Sequence, residues 1–250
     1  MTSFKDHFSA HAADYARYRP RYPEALFTYL TSLCEECELA WDCGTGNGQV
    51  AYALASHFAH VIATDASAEQ VAQAVAHERV SYQVAPAEQS PLDDNIADLV
   101  TVAQALHWFD VKRFYAEATR VLKPGGLLAV WTYDHLRADA VLDAVVRRYA
   151  DEVVGPYWPP ERRFVDARYQ TFSFPFPEEQ PPVFDMTQTW TLDDLLGYLS
   201  TWSATRRFMK THGTNPLDEV REELSRVWGV AEDEKIIRWP LHLRVGRHRA

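Results

Sequence analysis

The sequence predicts a doubly wound, mostly parallel α/β sheet, and three observations predict it. Short β-rich runs alternate with amphipathic stretches through the first two-thirds of the chain. A glycine-rich turn, DCGTGNG at 42–48, follows the first apolar run. An acidic residue, Asp65, ends the second run, about 20 positions past that turn, where such sheets gather ligand-contacting side chains. Strand, helix, strand at this spacing requires right-handed crossovers between parallel strands.

The elements follow in order. Leu39–Cys43 is apolar and runs into the glycines, and residues 50–58 carry apolar residues at helical spacing. Residues 60–64 form a second strand ending at Asp65, residues 67–77 an alanine-rich helix, and Val80–Val84 a third strand. Ala97–Ala103 is strongly apolar and reads as a fourth strand. Residues 111–122 read as a helix stopped by Lys123-Pro124-Gly125-Gly126, and 127–131 as a fifth strand. Beyond that, 138–154 is helical in pattern, 155–182 is an irregular excursion rich in proline and aromatics, and Phe184–Trp190 alternates as a strand should. Residues 192–201 and 215–228 suit helices, and 235–245 suits a strand closing the sheet edge.

The bulk numbers bound the function. The chain has 250 residues, 47% of them apolar, enough for one large domain or one domain with a cap. A formal charge of −10 repels phosphate backbones, so no nucleic-acid partner is expected. No apolar run has the length of a membrane span and the opening MTSFKDHFSAHAADY lacks a greasy core, so a cytoplasmic protein without a membrane partner is expected. The three cysteines, Cys34, Cys37 and Cys43, are too few for a disulfide scaffold, and the single CxxC has no second half to complete a metal site.

The glycine turn carries the chemistry. Glycines at 44, 46 and 48 let the backbone turn sharply and approach a ligand closely. Asp42 and exposed carbonyls suit positive charge, and loop N–H groups suit a carboxylate, as the methionyl end of S-adenosylmethionine presents. Asp65 can accept both hydroxyls of a ribose. Ala85-Pro86-Ala87-Glu88, after the third strand, can meet an adenine edge, and the backbone at Ala103 and Gln104 can line the sulfur end of the same cofactor.

With these residues in view, the sequence resembles the class I S-adenosylmethionine-dependent methyltransferases, and within them the small-molecule enzymes similar to trans-aconitate methyltransferases. The resemblance rests on YARYRPRYP, DCGTGNGQ, IATDAS, APAEQSPL, VAQALHWFD, VLKPGGLLAVW and LLGYLSTWSAT, and covers nearly the whole chain. It implies a Rossmann-like sheet whose last strand is antiparallel, in a single domain 1–250. Residues 1–35 would form a helical lid, 36–135 the cofactor-binding core, 136–233 a cap with the sixth strand and helices, and 234–250 the final strand. It also implies that Asp42, Gly44, Thr45 and Gly46 hold the methionyl portion, that Asp65 takes the ribose, and that Ala66 packs on the adenine. Ala87 and Glu88 would meet the adenine, Ala103 and Gln104 would lie near the sulfur, and Tyr18 and Arg19 would reach the site from the lid. Arg19 has two readings: a partner for the cofactor carboxylate, or a surface charge beside Pro20.

Methyl transfer is an in-line displacement, so alignment and exclusion of water dominate. A carboxylate acceptor needs no base; a phenol, amine or carbon acid does. His107, just past the fourth strand, is the candidate base, with His135 as a weaker one. Trp108, Tyr133, Tyr157, Trp158 and Trp202 come from segments expected near the mouth, with core packing the default reading for each, and Arg206 and Arg207 read as a solvated helix face or, second to that, as anchors for an acidic small molecule. A binding protein without turnover, a carbon or nitrogen methyltransferase, and a nicotinamide-dependent oxidoreductase are the competing readings.

Overall fold

A computed structural model describes residues 18–249; the first half of the expected lid, residues 1–17, lies outside the described residues. Seven strands form one sheet: β1 (Leu39–Cys43), β2 (His60–Asp65), β3 (Val80–Val84), β4 (Ala97–Ala103), β5 (Leu122–Tyr133), β6 (Phe184–Trp190) and β7 (Lys235–Arg247). Their order is β3-β2-β1-β4-β5-β7-β6. β1 pairs in parallel with β2 and β4, in register Asp42↔Ala63 and Asp42↔Thr101. β4 pairs in parallel with β5, Ala103 facing Trp131. β7 is antiparallel to both β5 and β6.

β7 therefore does not close the sheet, as its position in the sequence suggested. It inserts between β5 and β6, and β6 takes the edge. Length gives the reason: the 13 residues of β7 pair with β5 through 241–247 and with β6 through 235–241, whereas β6 has seven residues, all paired with β7.

Successive side chains of β5 show how the sheet divides the core. Leu127, Ala129, Trp131 and Tyr133 join one apolar cluster; Leu128 and Val130 join the other. The first cluster takes in α1 (Glu24–Leu33) and α2 (Gln49–Leu54), together with the cap helices α5 (Ala140–Arg148), α7 (Leu192–Ser200), α8 (Ser203–His212) and α9 (Arg221–Trp228). The second packs α4 (Val111–Val121) against Trp41, Val100 and Val102. Both faces being covered explains why β1, β4 and β5 read as near-continuous apolar runs.

Several helices are shorter than their patterns. The alanine-rich stretch yields only α3 (Ala68–Ala72), capped by Ser67 accepting from the Gln70 N–H, before the chain turns back at His77 to start β3. The helix expected over 50–58 ends at Leu54. The pattern over 215–228 breaks into a 3₁₀ turn, Pro216–Glu219, and α9, because Val220 sits at φ −120°, outside the helical range. The irregular excursion contains a 3₁₀ turn, Gly155–Tyr157, and one short α-helix, α6 (Arg162–Asp166). Among the described residues no helix is long and apolar enough to cross a membrane.

Candidate active site

The strand order reverses between β1 and β4, and ligands of open α/β sheets bind where the loops leaving two such strands diverge. The glycine turn leaves β1 there and the Gln104 loop leaves β4. Gly44 has φ +70°, and a Cβ on it would stand 2.7 Å from Ala105 Cβ and 3.0 Å from the Phe109 ring. The two loops thus touch through the missing side chain. The Gly44 and Thr45 N–H groups both donate to the Thr64 carbonyl, at 2.8 and 3.0 Å, which ties the turn to β2.

Asp42 lies beneath this turn, 1% exposed. Its carboxylate accepts from the Thr45 hydroxyl at 2.5 Å and from the Thr101 hydroxyl at 2.8 Å. Burial raises its pKa to about 6 against the opposing pull of those two hydrogen bonds. Asp65, at the tip of β2, accepts from the Gly46 N–H at 2.9 Å and the Ser67 N–H at 2.8 Å. A carboxylate oxygen has two lone pairs, so these bonds leave acceptor capacity for hydroxyl donors. Ala66 beside it is exposed. Ala87 is buried, and Glu88 accepts from the Asp110 N–H at 2.8 Å, linking the loop after β3 to the start of α4. Gln104 has a left-handed backbone, φ +54°, with its N–H donating to the Trp131 carbonyl and its side-chain carbonyl accepting from Thr132. Asp42, Thr45, Gly46 and Asp65 are therefore linked to one another by hydrogen bonds through the turn and β2.

Beside Gln104 opens a half-enclosed cleft. Gln104, His107 and Trp108 form its β4 side, Tyr133 and His135 come from the end of β5, and Trp158, Arg162, Tyr198 and Trp202 come from the cap. Arg19 enters from the N-terminal segment, donating to the Tyr133 hydroxyl at 3.0 Å with its guanidinium 5.4 Å from the centre of the Tyr198 ring. Tyr18 packs on α7: a Cβ on Gly197 would come within 2.4 Å of its ring. Gln49 donates to the Pro20 carbonyl at 3.2 Å, so the glycine-turn helix also holds this segment. Arg162 lies over the Trp158 ring at 4.7 Å, donates to His135 Nε2 at 3.0 Å and pairs with Asp166 at 2.7 Å.

Of the five aromatics expected at the mouth, Trp108, Tyr133, Trp158 and Trp202 line the cleft. Tyr157 instead packs on Phe208 and bonds His212. Arg206 and Arg207, read as a solvated helix face or as anchors, sit on α8 and are not in the cleft wall. The arginine from the cap that lines it is Arg162, which the sequence reading passed over in PPERR; two prolines and a five-residue helix give no periodic signal there. Tyr198, inside LLGYLSTWSAT, and Tyr169 were also missed.

His107 lines the cleft, but its Nδ1 is 2.8 Å from the Tyr169 hydroxyl. Burial, with Arg162 adding to it, pushes its pKa down to about 3. His135 is pushed down to about 4, again mainly by burial. Both rings are neutral and weakly basic near pH 7. Among the described residues no group of three or more His, Cys, Asp or Glu side chains could hold a metal ion.

A parallel sheet with one antiparallel strand inserted beside its edge, and a glycine turn at the switch point, define the chain as a Rossmann-like α/β protein of the class I methyltransferase type. The comparisons agree. The methyltransferase domain model matches residues 41–130. A Dictyostelium discoideum protein provisionally named a methyltransferase is 32% identical over 241 residues, 94% of this chain and 92% of that one. An uncharacterized methyltransferase of Mycobacterium tuberculosis is 32% identical over 87% of this chain and 85% of its own length. A solved structure from Anaeromyxobacter dehalogenans, provisionally named a type II methyltransferase, superposes with a TM-score of 0.87 at 42% identity, over 93% of this chain and 99% of that one. The chain belongs to the methyltransferase family.

Proposed function

We propose that the protein transfers the methyl group of S-adenosylmethionine to a carboxylate oxygen of a small organic acid. The observation that carries this reading is the pair of guanidinium groups, Arg19 and Arg162, set among aromatic walls beside the Gln104 loop. Arginine's planar fork matches a carboxylate, and its charge in a half-enclosed aromatic cleft selects an anion.

The residues of the turn suit the cofactor. Gly44 lets the β1 and β4 loops close on each other, Asp42, Thr45 and Gly46 would meet the methionyl group, and Asp65 would take the ribose with Ala66 at its side. Ala87 and Glu88 would border the adenine and Ala103 and Gln104 the sulfur. When bound, the cofactor supplies an activated methyl on a sulfonium. The chain's own residues then have three tasks. Arg162 and Arg19 hold the acceptor, Trp108, Trp158 and Trp202 exclude water, and the Gln104 loop fixes the angle between the two ligands. An ionised carboxylate needs no proton removed, which fits weakly basic histidines in the wall.

Calorimetry with S-adenosylmethionine, followed by a methyl-transfer screen over aromatic and aliphatic acids, tests the reading. R162M should raise KM for the acid at least tenfold with cofactor affinity unchanged. No affinity for S-adenosylmethionine, or turnover confined to amines or carbon acids, would overturn it. Cofactor binding with no product across the screen would favour a binding protein without turnover.

A further inference from the structure

The segment after α6 bends through two consecutive residues in the left-handed region, Arg168 at φ +55° and Tyr169 at φ +56°. Neither is glycine, and strain of this kind persists only where surrounding structure enforces it. The enforcing group is Arg244 on β7, 6% exposed, which donates to the Tyr169 carbonyl at 2.6 Å and the Phe172 carbonyl at 2.8 Å. Glu178 holds Arg244 in turn through two bonds, at 2.9 and 2.8 Å. Arg168 is drawn the other way, to Asp134 at 3.2 Å. The bend aims the fully buried Tyr169 side chain at His107, its hydroxyl 2.8 Å from Nδ1.

The proton on that hydroxyl can be placed. Thr132, the other hydroxyl beside it, spends its single proton on the Gln104 side-chain carbonyl. A fully buried phenol must donate somewhere, and of the two acceptors beside it, the Thr132 oxygen and His107 Nδ1 at 2.8 Å, the imidazole nitrogen is the stronger base. We propose that Tyr169 is a positioning residue that donates to Nδ1 of His107, fixing the neutral Nε2–H tautomer so that His107 presents a hydrogen-bond donor, not a base, to the cleft. Nδ1 being occupied, Nε2 is the ring's remaining polar atom, and the ring is part of the cleft wall. With Arg19 and Arg162 it makes a third donor toward an anionic acceptor. This rests on the proposed function for its purpose, but not for its geometry.

Nitrogen NMR of the ¹⁵N-histidine-labelled full-length protein, without cofactor or acceptor, tests it near pH 7. The resonances of His107 are assigned by their disappearance in H107Q. The expected result is a protonated Nε2 and an unprotonated, hydrogen-bonded Nδ1. Y169F, close to isosteric, should keep the fold and move the Nδ1 resonance toward the position of a free pyridine-type nitrogen. A protonated Nδ1 in the wild type, or an Nδ1 resonance that Y169F leaves in place, overturns the proposal. Because no ligand is present, these outcomes are independent of whether the protein methylates an acid.

Discussion

Asp42 braces the glycine turn from below through the hydroxyls of Thr45 and Thr101. It is buried, yet both its oxygens accept hydroxyl donors, an arrangement that favours the ionised form against burial. With a folded pKa near 6, above an unfolded value of roughly 4, the folded state holds the proton more tightly. The contribution of Asp42 to the stability of the ligand-free protein is therefore greatest below about pH 4 and declines as pH rises from there through about 6. The cofactor, if its ammonium faces this carboxylate, should show the opposite trend and bind more tightly as pH rises through the same window. Calorimetric titrations from pH 5 to 7.5 should show that rise in wild type and a flat profile in D42N. A wild-type affinity that is constant over the window removes Asp42 from the cofactor's charge balance.

At the level of elements, α7 is cut to receive the N-terminal segment. Gly197 in its middle costs helix stability, about 1 kcal/mol relative to alanine, and its vacant position is filled by the Tyr18 ring. The same segment delivers Arg19 to the cleft. G197A should leave the melting temperature within a few degrees of wild type, because the helix gains about what the displaced Tyr18 contact loses. It should raise KM for the acceptor about tenfold by displacing Arg19. Steady-state kinetics beside a thermal melt checks both arms, and an unchanged KM would show that Tyr18 does not set the position of Arg19. This device could not be read from the sequence, in which a glycine in LLGYLST is just a weak point in a helix. The strands were legible for the opposite reason. Ala97–Ala103 is buried on both faces, so its composition alone betrays its place. The order of β6 and β7 was not, because both read as β-like runs and only pairing decides which is outermost. The turn from Asp42 to Gly48 was legible because its backbone demands glycine. The bend at Arg168 and Tyr169 was not, because side chains hold it from β7, 75 residues away for the Tyr169 carbonyl.

Across the whole molecule, β7 clamps the excursion to the sheet. Arg244 supplies the clamp, and its guanidinium also lies 4.8 Å from the Phe174 ring. R244M keeps an unbranched apolar stem but removes the donor to the Phe172 carbonyl and Glu178, while the Tyr169 carbonyl keeps the Phe172 N–H at 3.2 Å. Because Glu178 is part exposed, the loss should be about 2 kcal/mol rather than that of a wholly buried pair. Urea denaturation should show a lower midpoint with little change in slope. A midpoint equal to wild type would mean that the apolar contacts of Phe172, Phe174 and Phe176 hold the excursion without help.

The cleft is assembled from both halves of the chain, and the halves are unequal in kind. The stretch that matches the methyltransferase domain model, 41–130, contributes only Gln104, His107 and Trp108 to the wall; the other lining residues come from Arg19 and from positions 133–203. The nucleotide-type turn and the acceptor wall can therefore diverge at different speeds. Substitutions in the later stretch can change the shape and charge offered to an acceptor while the β1 and β2 loops keep their internal hydrogen bonds.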